Sequence, residues 1–270
     1  MATVADAGSS GAHDALTDAG KVRAPHIRTI EVADVLESIE QGVRDFVRAP
    51  LYGLFFGAVY AIGGLLVLWL TLSLGYFYLI YPFVMGFALL SPFGAAGVYE
   101  VSRRLENGEP LSWSAVIGAV WGRAGKELAW LALVSLFTFI IWLDMAMFVF
   151  LAFYGMNVPS FSELFREVFS TTYGLTFLLV GNGVGAIIAL VVFSFTVVSP
   201  PLLVDRDIDF ITAMTTSVRT VLANPRPMLV WAIVIGADLA VAFATLFIAL
   251  LVIFPILGHT TWHLYRRVID

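Results

Sequence analysis

Apolar and polar residues fall into long blocks along this chain. Three apolar stretches, roughly 51–99, 127–200 and 228–265, are separated by shorter mixed segments. A spanning helix needs about 20 apolar residues. Residues 51–72 and 76–99 supply a first pair, turning at Ser73-Leu74-Gly75. Residues 127–153 and 173–200 supply a second. The last stretch, 228–265, has no Gly-Pro turn at its centre. One helix of that length would run to roughly 57 Å against a hydrocarbon core of about 30 Å. Two helices with a tight turn near Ala240–Thr245, spans 228–243 and 245–265, are the expected solution.

Before each apolar block lies a segment with helical spacing of apolar positions. In 31–48 these are Val35, Leu36, Ile39, Val43, Phe46 and Val47. In 112–126 they are Trp113, Val116, Ile117, Val120 and Trp121, and in 208–224 Phe210, Ile211, Met214, Val218, Val221 and Leu222. Such helices either lie in the membrane interface, apolar face down, or pack on the inner end of the bundle. A further segment, Pro159–Ser170, puts Phe161, Leu164, Phe165, Val168 and Phe169 on one side and Glu163, Arg166 and Glu167 on the other. It is expected on the outer leaflet or as a cap.

Charge orients the pattern. Of fifteen Lys and Arg residues, all but Arg166 fall into clusters bordering the apolar blocks. Cytoplasmic flanks retain Lys and Arg, so both termini are expected inside. The expected architecture is an all-α integral membrane protein. Six transmembrane helices form three hairpins, each preceded by an amphipathic interfacial helix on the cytoplasmic side. Residues 1–30, without an apolar run, read as a disordered cytoplasmic tail, and 31–270 as one membrane domain. Weak internal repetition supports parallel units. Val43-Arg44 precedes Pro50 as Val218-Arg219 precedes Pro225, and Ser91-Pro92, Ser199-Pro200 and Phe254-Pro255 take matching places.

Composition narrows the function. The chain is 60% hydrophobic and 13% charged, where a soluble domain carries roughly 25% charged residues. Its net charge of −5 mixes acids and bases on one face, so no nucleic-acid surface is implied. The absence of cysteine excludes disulfides, thiolate metal sites and Cys nucleophiles. Asp144 and Asp238 are intramembrane acids and therefore functional suspects, although a position near the outer boundary would make either one cheap. His259 and His263 share a helical face at metal-ligand spacing, with Glu100 the candidate third ligand. The preferred reading places them in an aromatic belt beside Trp262 and Tyr265. Arg44, Arg219, Arg266 and Arg267 are candidates for lipid headgroups, with positive-inside anchoring the plainer account. No Ser-His-Asp arrangement is visible, and no cofactor is expected.

The segment Phe254-Pro255-Ile256-Leu257-Gly258-His259-Thr260-Thr261-Trp262-His263-Leu264-Tyr265-Arg266 resembles the closing signature of a bacterial family. So does the region from Ser217 through Asn224-Pro225-Arg226-Pro227 to Trp231. The family comprises six-span inner-membrane proteins with a domain of unknown function, numbered 2189. The resemblance covers about residues 27–268 and implies a bacterial inner-membrane location. Members are sometimes labelled cytochrome c oxidase subunit I-like. This chain lacks the histidines on separate spans that such a role requires.

Three functions follow as expectations. The first is a non-catalytic scaffold or accessory subunit, whose partners are the lipid bilayer and a membrane protein or a second copy. The second is a small transporter or channel using Asp238. The third is metal or haem binding at His259 and His263.

Overall fold

A computed structural model describes residues 25–87, 91–122, 124–156 and 159–270. Most of the expected tail (1–24, with Lys21 and Arg23) and Arg123 lie outside the described residues. Helices dominate, and no strand occurs among the described residues; the sole β-type pairing there is one isolated bridge.

In chain order the helices are α1 (Val32–Arg48), α2 (Pro50–Ser73), α3 (Ile80–Phe87), α4 (Ser91–Gly94), α5 (Ala96–Asn107) and α6 (Trp113–Trp121). Then come α7 (Gly125–Tyr154), α8 (Phe161–Ser170), α9 (Thr172–Thr196), α10 (Ser199–Asp205), α11 (Phe210–Ala223), α12 (Pro225–Ala244) and α13 (Leu250–Val268). Among the described residues four segments are long and apolar enough to cross a membrane: α2, α7, the α9–α10 run and α12. The described part of the expected span 76–99 omits residues 88–90. It is a 3-10 turn at Phe77–Leu79 followed by α3, α4 and α5.

The internal repetition has a physical basis. Ala49 (φ −132°, ψ 53°) and Asn224 (φ −129°, ψ 54°) adopt nearly one backbone conformation. Each precedes a proline, whose ring drives the preceding residue out of the helical region. Proline itself suits the first helical position, where no N–H is needed. Each junction therefore ends a short helix (α1, α11) and starts an apolar one (α2, α12). The middle unit makes the same α6-to-α7 transition through Gly122–Gly125, without proline.

The apolar stretch 228–265 divides into α12 and α13, with the turn at 245–249 rather than at Ala240–Thr245. Leu246 (φ 49°) and Phe247 (φ 65°) take the left-handed conformation there, which is costly for side chains with a Cβ. Phe247 is buried against Gly64 of α2. That contact offsets the strain. From the turn, α13 runs back antiparallel to α2. Gly64 meets Phe247, Gly57 lies on the Leu250–Leu251 backbone, and Gly53 meets Pro255. Tyr60 stacks on Phe254 with ring centroids 4.1 Å apart.

Chain ends meet. Ile27 pairs with Ile269 in an antiparallel bridge. Arg28 N–H donates to the Val268 carbonyl at 2.8 Å, and Asp270 N–H to His26 at 3.0 Å. Residues 26–30, expected in the tail, thus belong to the folded unit. The core gathers at this paired end. Val35, Val98, Val101, Leu202, Met228, Trp231, Trp262 and Tyr265 are fully buried there. The apolar helices leading away from it are sparsely covered. Leu66 and Trp69 of α2, Phe137 and Phe148 of α7, and Leu179 and Ile187 of α9 are exposed.

The short helices at the paired end correct one expectation. In α1 the buried face is Val35, Ser38, Gly42 and Asp45, and in α11 it is Ala213, Thr216, Ser217 and Thr220. These small or polar residues let α1 approach α13 so closely that a Cβ at Gly42 would collide with Thr260. The apolar stripe read from sequence joins that face at Val35, and Ile39, Phe210, Met214, Val218 and Val221 pack partly on the core, while Leu36, Val43 and Val47 on α1 and Ile211 and Leu222 on α11 stay open.

Candidate functional site

The paired end holds a buried polar cluster that joins three helices distant in sequence. Asp45 comes from the inward face of α1, Ser102 from α5, and His259 and His263 from successive turns of α13. All but His263 are buried, and its side chain is 16% exposed. Helix α1 brings Asp45 inward because it docks through its small-residue face. Ser102 is the last of seven consecutive buried positions, Ala96 to Ser102.

The Asp45 carboxylate is the hub. Its Oδ2 lies 2.7 Å from His263 Nε2 and 2.8 Å from Ser102 Oγ, and Ser102 Oγ lies 2.7 Å from His259 Nδ1. An ionised carboxylate only accepts, so His263 Nε2–H and the Ser102 hydroxyl both donate to it. Ser102 oxygen is then the acceptor for His259 Nδ1–H. That assignment makes His259 Nε2 an acceptor, and it has no partner among the described residues. The Thr260 hydroxyl is likewise buried without one. Burial alone raises the Asp45 pKa, but the hydrogen bonds from His263 and Ser102 and the nearby imidazole charge outweigh it. The net shift is downward.

Ser, His and Asp therefore do meet in space, although no such arrangement is visible in the sequence. Their order differs from a hydrolase triad, where histidine bridges serine and aspartate. Here Ser102 bridges His259 and Asp45, its proton is committed to the carboxylate, and its oxygen is sealed from substrate. The arrangement ties helices together and forms a continuous line of exchangeable protons.

Around it runs a lattice of ion pairs. Arg103 donates to Glu100 at 2.7 Å and to Glu109 at 3.0 Å, while Arg104 donates to Glu100 at 2.7 Å. The hydrogen bond from Arg103 is the largest influence holding the Glu109 carboxyl below its usual range. Arg266 reaches Glu106 at 3.0 Å and Asp205 at 3.6 Å, and Arg267 reaches Asp34 at 2.8 Å and Glu37 at 2.7 Å. Trp262 and Tyr265 complete the lattice on Glu106 and Asp205, at 3.0 and 2.5 Å. Between α5, α6 and α10 lies a cavity of about 300 Å³, walled by Ala115, Ala119, Ala124 and Val204 with Glu100, Arg103 and Asp205.

The residues singled out from sequence fall in different places. Arg266 and Arg267 are occupied by carboxylates of the chain. Arg44 is exposed, 3.7 Å from Glu40, and Arg219 is exposed with no ion pair among the described residues. His259 and His263 bond to Ser102 and Asp45, and Glu100 to two arginines. Among the described residues no group of three His, Asp or Glu side chains converges as a metal site. Asp238 is half-buried on α12 and Asp144 exposed on α7, each without a hydrogen bond or ion pair among the described residues.

Sequence reading passed over Asp45 and Ser102 as ordinary flanking residues. The available signal was the register of Pro92 with Pro255, which aligns the turn carrying Glu100 and Ser102 with the turn carrying His263 and Tyr265.

No curated protein and no solved structure matches the chain. The chain is an integral membrane protein with several apolar helices, and over residues 79–205, from the turn before α3 to the end of α10, it is similar to a family described as Predicted integral membrane protein (DUF2189).

Proposed function

We propose that this protein is a non-catalytic scaffold or accessory subunit of a bacterial inner membrane. It crosses the bilayer six times, as three hairpins, with both termini on the cytoplasmic side. The observation that carries this reading is where the reactive side chains go. Ser102, His259, Asp45 and the arginines of α5 and α13 are consumed in fastening the helices to one another, while the apolar helices present their side chains outward.

Several features support the topology. Residues 26–28 pair with 268–270, which fits an even number of crossings. The segments α3–α5 and α13 are the return legs that α2 and α12 need. Lys and Arg at the paired end fit the cytoplasmic side. The open stripes Leu36–Val43–Val47 and Ile211–Leu222 fit helices seated in the interface plane. At the other end, Phe161, Phe165 and Phe169 of α8 are exposed and fit the outer leaflet.

The test is cross-linking in native membranes followed by mass spectrometry of the tagged full-length chain. The scaffold reading expects the same membrane protein recovered reproducibly and near stoichiometry. Failure to recover any partner, together with solute flux in proteoliposomes that Asp238→Asn abolishes, would replace it by a transporter. Reporter fusions after Asp270 that read as external would overturn the topology.

A further inference from the structure

Helix α7 carries an unanswered charge. Its outward ridge is Leu133, Phe137, Ile140, Asp144, Phe148 and Leu151, all exposed and spaced three or four apart. That spacing is the seam through which two helices pack. Asp144 sits inside the ridge without a hydrogen bond or ion pair among the described residues. Its depth follows from its neighbours. Tyr154 and Tyr173 pack together at the outer end of α7, with ring centroids 6.0 Å apart, and Trp130 lies near the inner end. Tyrosine and tryptophan favour membrane boundaries. At 1.5 Å per residue Asp144 is about 15 Å from Tyr154 and about 21 Å from Trp130. It therefore lies near mid-bilayer and faces lipid, where a carboxylate is unfavourable unless a partner answers it.

We propose that this ridge docks a membrane-spanning helix of another protein, one that carries a lysine or arginine at mid-depth opposite Asp144. Charge complementarity selects that occupant over a second copy. Among the described residues every cation except Arg166 lies toward the paired end, and Arg166 belongs to α8 at the outer end. A parallel copy thus brings no cation to the depth of Asp144, and an antiparallel copy violates the charge orientation of the chain. Large apolar side chains on both sides of Asp144 supply packing, and the ion pair supplies register. The inference rests on the scaffold reading and names the chemistry of its partner.

The experiment co-expresses the full-length chain with a single-span Leu/Ala probe helix bearing one central lysine. The same probe with leucine at that position serves as control, and retention is read by energy transfer in membranes. The lysine probe is expected to be retained about tenfold over the leucine probe, which corresponds to about 1.4 kcal/mol. Asp144→Leu and the milder Asp144→Asn remove the preference, whereas Asp238→Leu leaves it. Each variant's thermal transition serves as the folding check. Equal retention of both probes overturns the inference, as does a preference that survives Asp144→Leu. Self-cross-linking of Phe148→Cys overturns it in favour of a second copy. If the lysine preference is absent while native membranes still yield a reproducible partner, the α7 assignment falls and the scaffold stands. If no native partner exists, the scaffold itself falls.

Discussion

His263 Nε2 meets Asp45 Oδ2 at 2.7 Å, so α13 is bonded to α1. The same carboxylate receives Ser102 from α5. One side chain thus fastens three helices at the paired end. Asp45→Ala leaves His263 and Ser102 without their acceptor in a buried setting and is expected to cost about 3–5 kcal/mol. Ser102→Ala removes a neutral donor and is expected to cost about 1–2 kcal/mol. Thermal unfolding of purified protein in detergent measures both, and equal, negligible shifts would show that the cluster bears no load.

The same carboxylate makes stability depend on acid. Burial alone would raise its pKa, but bonds from His263 and Ser102 depress it overall. A group with a depressed folded pKa stabilises fully above its unfolded value, about 3.9. That contribution is lost as pH falls through the folded value. The wild-type melting temperature is therefore expected to drop from about pH 4 downward more steeply than that of Asp45→Asn. Parallel curves would exclude Asp45 as the source.

Close helix approach gives a paired prediction. A Cβ at Gly57 would lie 2.6 Å from the Leu251 carbonyl oxygen, whereas one at Gly183 or Gly236 meets nothing within 4 Å. Gly57→Ala must push α2 from α13 and is expected to cost about 1–3 kcal/mol. Gly183→Ala is expected to be neutral or slightly stabilising, since alanine favours a helix over glycine by about 1 kcal/mol. Melting temperatures of the two variants in one detergent decide it.

Backbone strain at the α12–α13 turn is also testable. Leu246 is exposed and left-handed, at φ 49°. Leu246→Gly should relieve about 1 kcal/mol and raise the melting temperature. A lower temperature would mean that the leucine side chain matters more than its backbone.

Pairing of the chain ends can be trapped directly, because the protein contains no cysteine. The bonds flanking Ile27 and Ile269 mark a pair whose Cα atoms approach to about 4.5 Å, within disulfide reach. Ile27→Cys with Ile269→Cys is expected to close under mild oxidation, seen as faster migration on a non-reducing gel. Two thiols that stay free would place the ends apart.

Membrane residence, helical class and the helix junctions were legible from residues alone. A bilayer demands about 20 apolar residues per crossing, and that demand is written in linear order. Prolines at positions 50 and 225 marked where short helices end, because proline constrains its neighbour whatever lies around it. Tertiary structure decided what linear order does not encode. It opened 76–99 with a 3-10 turn and placed the last turn at 245–249, where Phe247 finds Gly64. It buried Ser38, Gly42 and Asp45 of α1 along with Val35, since close approach to α13 rewards small side chains, while Leu36, Val43 and Val47 stay open. It also gathered Asp45, Ser102, His259 and His263, which share no local pattern. Their meeting depends on how three helices cross, and a crossing is set by packing between segments far apart in the chain.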